Sequence, residues 1–572
     1  MVSRQLYIST DVEGTGYMGK AAISSSALVK RGLDKWRLLF LVFAVIYAVC
    51  LLVNLSYMSI QWDEVSHLNG GLFLLQGNFT KYFNNNAFYP PLFDIFTAGF
   101  FGVGGATLFM NRLVSIVFSL LTLYMVFEFG RRTYGAQAGL LASILLGVMP
   151  GYFWLSRMAM IEPMLIFFFS LSAFSFYGWL KTEKTKWLLL SGLAVGLGIL
   201  TKYQVIIVVP IMLVALALLG REHLKKKLSR LPLLIVTAVI VVSPWIVVSY
   251  QLYASSMLST WIYALNIGNP DKLLYSLGLA SSGLGRFPAW FYAMPTWLQT
   301  PMFYSVELTM PYVEVHPISF FLYAIGLLGL GFFVWRRKSL DKYLLLWFVV
   351  AYVFFTVIPN RQWRYMVPAF PVLAISAAVL LASAFNSAAG LLKNQHLSLN
   401  QKRYVQASAL FLVALTAIGV GYSMSDAASW VSNDQIHIPV QEATNFAAIH
   451  IAANQSIMVM CAQNLFSKDM VMFYLNAQGK NNAVLQYPVN PVDTYTPTFN
   501  VTDFIGLCQQ NNVKYVFTYE YGGDVPYFNT TLSLMNIYQM LYDSGKFTQL
   551  YDNQTYWFGA YPRRIFVLTY LG

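Results

Sequence analysis

Charged residues are scarce in this chain of 572 residues: only 11% are Asp, Glu, Lys or Arg, whereas 57% are hydrophobic. A water-soluble globular protein has more surface charge and needs far less apolar residue for its core, so that class is excluded. The chain instead carries repeated apolar runs of about 18 to 22 residues, each long enough to cross roughly 30 Å of hydrocarbon. This pattern predicts a multi-pass α-helical membrane protein.

Cysteine is nearly absent, with three residues in the whole chain. Cys50 lies inside the first apolar run, where a small apolar side chain is expected. Cys461 and Cys508 both fall in the C-terminal part, and sequence alone leaves a disulfide between them open. The spacing of the three excludes a cysteine-based metal or redox motif.

Acidic residues are outnumbered by basic ones, which gives a net charge of +13. The cations cluster in short loops between the apolar runs, and all of these loops lie on one side when about 11 helices are threaded alternately through the membrane. This distribution is the positive-inside pattern, so it predicts a cytoplasmic N-terminus and gives no support for binding of nucleic acid. The predicted spans are 37–57, 111–130, 136–155, 162–180, 187–201, 203–220, 231–251, 317–335, 342–358, 366–385 and 404–424.

The spans divide the chain into three parts: a cytoplasmic tail at 1–36, a transmembrane domain at 37–424 and an extracytoplasmic domain at 425–572. The transmembrane domain has long external loops at about 58–110 and 252–316, and 92–103 suits a helix that lies in the membrane interface. The C-terminal domain alternates helical and β-rich segments, which predicts an α/β fold. Six Asn-x-Ser/Thr sequons fall in segments predicted to lie outside or at the outer boundary of the membrane, and together with the external domain they hint at an archaeal source.

Two adjacent carboxylates, Asp63 and Glu64, follow the first span. Ionisable groups beside lipid are candidates for function because burial there is unfavourable. Asp63 is a candidate general base, although two acids at this position also suit helix capping. His67 lies four residues later, where it would share a helix face with Asp63 and help orient it or bind a metal.

A third acid, Glu162, precedes Pro163 at the start of a predicted helix on the same side. Four cations on that side depart from the charge bias, namely Arg157, Lys202, Arg361 and Arg364. Each suits binding of a lipid-borne phosphate, and each also suits snorkelling to phospholipid headgroups. Their coincidence with the acids favours an anionic lipid substrate.

The order of these elements resembles the GT-C glycosyltransferases that use lipid-phosphate sugars, in particular the branch with the protein O-mannosyltransferases and the aminoarabinose transferase of lipid A. The resemblance spans about 57–375. It rests on these elements in order: Asp63-Glu64, Tyr89-Pro90-Pro91-Leu92, Arg112 with Ser115, Arg131-Arg132, Arg157 with Glu162, Gly198 to Lys202, and Arg364-Tyr365 to Pro371.

The resemblance implies inverting transfer of a sugar from a polyprenyl phosphate, dolichyl or undecaprenyl, to a hydroxyl of a protein, lipid or glycan acceptor at the outer face of the cell membrane. It implies catalytic roles for Asp63, Glu64 and Glu162. Asp63 would be the base, Glu64 would tune or position it, and Glu162 would bind the acceptor or a sugar hydroxyl. The donor would contact Arg157, Lys202, Arg361, Arg364 and Tyr365.

The chain also departs from the family pattern. Glu162 stands where an aspartate is often found, and the Pro-Pro element lacks the neighbouring lysine or glutamate of the lipid A enzyme. A divalent metal is therefore an open question, with His67, Glu314 and His316 as candidate ligands. The Trp-Trp-Asp-Tyr-Gly signature of oligosaccharyltransferases is absent, which argues against en bloc transfer of N-glycans.

Two other classes of function remain as alternatives. A transporter would be expected to show internal repeats and broken helices at the membrane midplane, and the sequence shows neither. A non-catalytic receptor would leave the acids and cations at the membrane edge unexplained. A glycosyltransferase accounts for both features.

Overall fold

The computed structural model describes residues 34–85, 89–253, 287–310, 316–393, 398–433, 437–460, 466–487, 499–519, 534–552, 556–558 and 561–572, with four single positions between 271 and 280. Its first part contains helices α1 (Lys35–Leu52), α2 (Trp62–Leu75), α3 (Phe79–Asn85), α4 (Leu92–Gly104), α5 (Leu108–Thr133), α6 (Ala136–Gly147), α7 (Pro150–Arg157), α8 (Glu162–Thr182), α9 (Thr185–Ile199), α10 (Val208–Leu219) and α11 (Leu224–Tyr253). After these come α12 (Ala289–Ala293), α13 (Thr296–Thr309), α14 (Phe320–Arg336), α15 (Ser339–Val357), α16 (Phe370–Lys393) and α17 (Leu399–Asn433). Two 3₁₀ turns, Tyr203–Ile207 and Trp363–Ala369, lead into α10 and α16.

The helices confirm a multi-pass membrane protein. Seven described helical segments are long and apolar enough to cross a membrane, and α6 with α7 adds an eighth if this pair, bent by 67°, is one span. Shorter apolar helices lie at Thr185–Ile199, Tyr203–Leu219 and Phe320–Arg336, where three further spans are predicted. All eleven predicted segments are therefore helical, although three of them are shorter than a full span. The fourth short apolar helix, α4, lies where the interfacial helix is predicted.

The bundle is held together by close packing around α8, in which 83% of the most apolar stretch is buried. This helix packs against α5 and α9, and α16 packs against α6 and α14. Between α5 and α6 the backbones approach so closely that a Cβ at Gly139 would lie 2.5 Å from the Phe127 carbonyl oxygen. Small residues of this kind allow helices to associate in lipid, where no hydrophobic force drives them together.

The C-terminal part contains α18 (Val440–His450), β1 (Ser456–Met460), α19 (Lys468–Ala477), β2 (Val484–Tyr487), α20 (Val501–Gln510), β3 (Val513–Tyr519), α21 (Leu534–Asp543), β4 (Phe547–Asp552), β5 (Tyr556–Phe558), β6 (Tyr561–Arg563) and β7 (Ile565–Tyr570). Five strands form a sheet in the order β2-β1-β3-β7-β4, with β1 parallel to both neighbours and β7 antiparallel to its own. The predicted α/β composition is confirmed. Sequence reasoning predicted α18, α20, α21, β1, β3 and β7 and missed α19, β2, β4, β5 and β6.

Helix α2 joins the two parts of the molecule. Its apolar residues Val65, Leu68 and Leu72 share a core with the sheet region. On the same face, Asn69 Nδ2 donates to the Asp469 carbonyl at 3.0 Å. The first turn of α2, which carries Asp63 and Glu64, is therefore fixed between the C-terminal region and the helix bundle.

Candidate active site at one end of the helix bundle

The first turn of α2 brings the two predicted carboxylates to one end of the bundle. Gln61 is extended, and its backbone N–H donates to Glu64 Oε2 at 2.9 Å, so the helix begins with part of a capping box. Acidic side chains in this turn are also stabilised by the helix dipole. Asp63 and Glu64 nevertheless point into different surroundings.

Glu64 is completely buried and its carboxylate is fully engaged. Arg112 of α5 binds it in a bidentate manner, with Nε to Oε1 at 2.8 Å and Nη2 to Oε2 at 2.7 Å. The Ala159 backbone N–H donates to Oε1 at 2.6 Å. The remaining hydrogens of the Arg112 guanidinium go to carbonyls of Leu55, Met58 and Ser59. This group, the Glu64–Arg112 clamp, ties α2, α5 and the loop after α1 together.

Asp63 has a different environment, with 38% of its side chain exposed. Its Oδ2 accepts from Arg364 Nη1 at 2.7 Å, and no described residue donates to the other carboxylate oxygen. Arg364 lies in the 3₁₀ turn Trp363–Ala369, and its Nη2 donates to Gln362 Oε1 at 3.1 Å. One oxygen of Asp63 is thus held in place, while the other accepts from no described donor.

Glu162 also lies near Arg364, with Glu162 Oε1 and Arg364 Nη1 4.0 Å apart. It is the first residue of α8, next to Pro163, as the sequence predicts. Lys202 Nζ donates to Oε1 at 2.9 Å. The second oxygen, Oε2, is buried and has no hydrogen-bond partner among the described residues. Asp63, Glu162, Lys202 and Arg364 together form what we call the polar cluster.

Two tyrosines border the polar cluster. Lys202 Nζ lies 5.5 Å from the ring centre of Tyr365. Tyr89 is in the loop before α4, and burial together with the nearby carboxylates of Asp63 and Glu162 raises its pKa to about 12. Its hydroxyl therefore stays protonated at neutral pH and can donate a hydrogen bond.

The other two predicted donor-binding cations make structural contacts. Arg157 donates to the carbonyls of Cys50, Leu51 and Val53, which are the free carbonyls at the end of α1. Arg361 donates to the Ile358 carbonyl, and its guanidinium lies 5.0 Å from the centre of the Phe303 ring. Of the predicted phosphate ligands, the structure brings Lys202, Arg364 and Tyr365 together with the two acids.

The two described candidate metal ligands, His67 and His316, lie in separate contacts with aspartates. His67 Nδ1 is 2.8 Å from Asp94 Oδ1, and both side chains are buried. His316 Nδ1 is 3.0 Å from Asp426 Oδ2 on α17. Glu314 lies outside the described residues. Within the described part of the chain, no three His, Cys, Asp or Glu residues form a group that could hold a metal ion.

Sequence reasoning missed some of these contacts. Asp94 also accepts from the Tyr82 hydroxyl at 3.2 Å, so a buried acid on α4 fixes His67. Tyr89 and Arg112 were visible only as parts of family motifs, without a role. A sequence signal for these contacts did exist: each involves a charged or polar residue inside an apolar stretch, and such a residue needs a partner. The disulfide remains untested: Cys508 is buried in α20, and Cys461 lies outside the described residues.

Residues 89–248 match the dolichyl-phosphate-mannose-protein mannosyltransferase family. Curated relatives include an undecaprenyl phosphate-alpha-4-amino-4-deoxy-L-arabinose arabinosyl transferase from Pectobacterium atrosepticum, 23% identical over 325 residues, which are 55% of this chain and 52% of the relative. The transferase of the same name from Aeromonas salmonicida is 26% identical over 236 residues, which are 40% of this chain and 37% of the relative. The chain thus spans about half or less of the length of these relatives.

Solved structures extend the likeness over nearly the whole chain. ArnT from Cupriavidus metallidurans bound to undecaprenyl phosphate has a TM-score of 0.55 at 14% identity, covering 94% of this chain and 98% of ArnT. A second match is the archaeal oligosaccharyltransferase AglB from Archaeoglobus fulgidus, in complex with an inhibitory peptide and a dolichol-phosphate. Its TM-score is 0.51 at 14% identity, and the match covers 84% of this chain and 69% of AglB. The predicted resemblance is confirmed, and these matches show that the fold is of the GT-C type.

Proposed function

We propose that this membrane protein of the GT-C type is an inverting glycosyltransferase, which moves a sugar from a dolichyl or undecaprenyl phosphate to an acceptor hydroxyl on the extracytoplasmic side. The polar cluster carries this proposal. It contains two ion pairs, Asp63–Arg364 at 2.7 Å and Glu162–Lys202 at 2.9 Å, and Arg364 lies 4.0 Å from Glu162, while Asp63 stays partly exposed. The names of the relatives support the same class of enzyme.

Lys202 and Arg364 would bind the phosphate of the donor. In the described state their charges are balanced by Glu162 and Asp63. A phosphate that carries negative charge would add charge-assisted hydrogen bonds to both cations, and Arg364 has further N–H groups for it beside the one that binds Asp63. Charge on the phosphate oxygens rises as the bond to the sugar breaks, so these contacts strengthen toward the transition state.

Asp63 would act as the general base. The acceptor oxygen attacks the anomeric carbon from the face opposite the phosphate, and its proton moves to the open oxygen of Asp63. The bond from the anomeric carbon to the phosphate oxygen breaks, and the electron pair leaves with the polyprenyl phosphate. Arg364 holds the other oxygen of Asp63 at 2.7 Å, which fixes the direction of the base.

Three further residues have supporting roles in this proposal. Glu162 Oε2, buried and without a partner among the described residues, would accept a hydrogen bond from a hydroxyl of the sugar or acceptor. Tyr89 would donate one from its protonated hydroxyl. Glu64 is assigned a positioning role, because both of its oxygens are already bound.

The orientation in the membrane is part of the proposal. The cation-rich loops support a cytoplasmic N-terminal tail at 1–36, with the polar cluster and the domain at 425–572 outside. A lipid-linked donor would then reach the cluster from the outer leaflet of the cell membrane.

Deletion of the gene followed by mass spectrometry of cell-envelope glycoconjugates tests the proposal. We expect one class of conjugate to lose a single sugar, and the wild-type gene to restore it. The Asp63→Asn variant should fail to restore it, whereas Asp543→Asn, which changes a surface carboxylate on α21, should succeed. Unchanged glycoconjugates in the deletion strain would reject the proposal.

A further inference from the structure

A second feature of the molecule is a cleft of about 660 Å³ between the helix bundle and the C-terminal region. Its walls are the loop 56–59 after α1, the start of α5, and the facing sides of α18 and α19. None of the roles assigned above uses it. A cleft of this size matches a small-molecule or oligosaccharide ligand.

One wall of the cleft carries an exposed aromatic ring that is held rigidly. Tyr57 is 45% exposed, and its ring stacks on the His437 ring with centroids 5.3 Å apart and planes inclined by 27°. His437 is fixed in turn, with Nδ1 2.9 Å from the Tyr57 carbonyl oxygen and Nε2 3.1 Å from Glu442 Oε1. An immobilised ring that faces a cleft is suited to stack against the C–H face of a sugar, because it loses little freedom on binding.

The remaining polar lining is largely neutral. Gln441, Asn445 and Gln478 present side-chain amides, and Gln478 Nε2 donates to Asn445 Oδ1 at 2.6 Å. Among the described lining residues, Glu442 is the one carboxylate, and it is paired with His437. No lysine or arginine belongs to the described lining. Amides both donate and accept hydrogen bonds, as sugar hydroxyls do, whereas a phosphorylated ligand would need cations.

The position of the cleft connects it with the polar cluster. Ser59 on its wall precedes Asp63 by four residues, so their Cα atoms are at most about 15 Å apart by chain length. Thr107, which also lines the cleft, caps α5, whose apolar span begins at Leu108. The cleft therefore opens at the same end of the bundle as the candidate base.

We propose that this cleft binds the acceptor, and that the acceptor is an uncharged, hydroxyl-rich carbohydrate which stacks on Tyr57. The identification of the bound carbohydrate as the acceptor rests on the proposed transferase function. The binding of a neutral glycan at Tyr57 rests only on the cleft.

Saturation-transfer NMR on the full-length protein in lipid nanodiscs tests the inference. The probes are three neutral trisaccharides (mannotriose, cellotriose and chitotriose), a bis-phosphorylated glucosamine disaccharide and a hexapeptide that contains Ser and Thr. We expect at least one neutral trisaccharide to bind. Tyr57→Ala should weaken that binding at least fivefold, whereas Tyr57→Phe, which keeps the ring, should bind like the wild type.

The matched control is Tyr542→Ala on α21. Tyr542 is likewise exposed (49%) and stacked on a second ring, that of Tyr538, but it does not line the cleft. This variant should bind the trisaccharide normally.

Several results would overturn the inference: no binding of any neutral trisaccharide, wild-type binding by Tyr57→Ala, or Tyr57-dependent binding of only the phosphorylated disaccharide or the peptide. A different conclusion would follow if the trisaccharide bound in a Tyr57-dependent manner but the wild-type protein transferred no sugar. That result would reject the transferase function and leave the carbohydrate site standing.

Discussion

Asp63 and Glu64 are neighbours in sequence, yet their surroundings differ in almost every physical respect. Glu64 is buried, accepts from two nitrogens of Arg112 and from two backbone N–H groups, and has both oxygens occupied. Asp63 is 38% exposed, accepts from one described donor and keeps one oxygen open. Successive residues on a helix point about 100° apart, so one turn can serve both environments.

This difference separates stability from chemistry. A carboxylate whose oxygens are all bound cannot take a proton without breaking hydrogen bonds, so Glu64 suits a structural role. A carboxylate that is held at one oxygen and open at the other is oriented and still reactive, so Asp63 suits a base. The same contrast separates Arg112, fully bound in the clamp, from Arg364, which lies beside two acids in the polar cluster.

The largest effect on stability is expected when the Glu64–Arg112 clamp is broken. Glu64→Ala leaves the buried guanidinium of Arg112 without its counter-charge, and removal of one partner of a buried ion pair costs about 3–5 kcal/mol. Thermal unfolding of the purified protein in detergent measures this loss. The control, Asp543→Asn, removes a surface carboxylate and should unfold like the wild type; an equally stable Glu64→Ala protein would refute the structural role.

The next effect concerns the cations of the polar cluster. Lys202→Ala and Arg364→Ala each remove a charge-assisted contact with the donor phosphate, worth about 1.5–3 kcal/mol, so kcat/KM for the donor should fall about 10-fold to 100-fold. Transfer from dolichyl-phosphate mannose and from undecaprenyl-phosphate aminoarabinose provides the assay. Lys546→Ala, at an exposed position where Nζ contacts only the Gly572 carbonyl among the described groups, is the control. Unaltered donor kinetics in both variants would remove these cations from the phosphate site.

A smaller effect is expected at Tyr89. Tyr89→Phe deletes one neutral hydrogen bond, worth about 0.5–1.5 kcal/mol, so transfer should slow about twofold to tenfold. Because burial and nearby carboxylates raise the pKa of Tyr89 to about 12, the ratio of wild-type to variant rates should not change between about pH 6 and pH 9. A ratio that falls as pH rises would show that the hydroxyl titrates in this range.

The smallest effect is a pH-dependent contribution to stability at His437. The Glu442 hydrogen bond raises the pKa of His437 above its ordinary 6.5, against burial, and the Tyr57 carbonyl adds to the rise. Burial raises the pKa of Glu442, but the His437 contact and a backbone hydrogen bond outweigh it and lower that pKa below 4.5. The contribution of His437 to stability is complete below pH 6.5 and is lost as pH rises through its raised pKa. The contribution of Glu442 to stability is complete above pH 4.5 and is lost as pH falls through its lowered pKa.

This linkage predicts that the pair stabilises the protein most between about pH 4.5 and 6.5. His437→Gln should therefore lower the unfolding temperature more at pH 6 than at pH 9. The difference should correspond to less than about 1 kcal/mol, because Glu442 is 45% exposed and solvent screens the pair. A larger loss at pH 9 would contradict the assignment.

The comparison of the two acids also shows what sequence could and could not predict. Apolar run length predicted eleven spans, and a described helix lies at each of them, although only seven, or eight with the bent pair, are long and apolar enough to cross a membrane. The meeting of Asp63 with Arg364, 301 positions apart, was only implied by family resemblance, since no local pattern encodes so distant a contact. Sequence likewise could not tell that Arg157 binds the carbonyls at the end of α1 whereas Lys202 faces Glu162. Both are isolated cations near a helix end, and only packing separates them.

The central claim is that the two neighbouring acids divide base catalysis and structure between them. It is tested most directly by unfolding temperature and sugar transfer measured on the same preparations of wild type, Asp63→Asn and Glu64→Gln. We predict that Asp63→Asn unfolds like the wild type but transfers no sugar, and that Glu64→Gln unfolds at lower temperature while the folded fraction keeps measurable transfer. Two results would contradict the account. One is wild-type turnover by Asp63→Asn, and the other is a loss of transfer in Asp63→Asn that is no larger than its loss of folded protein.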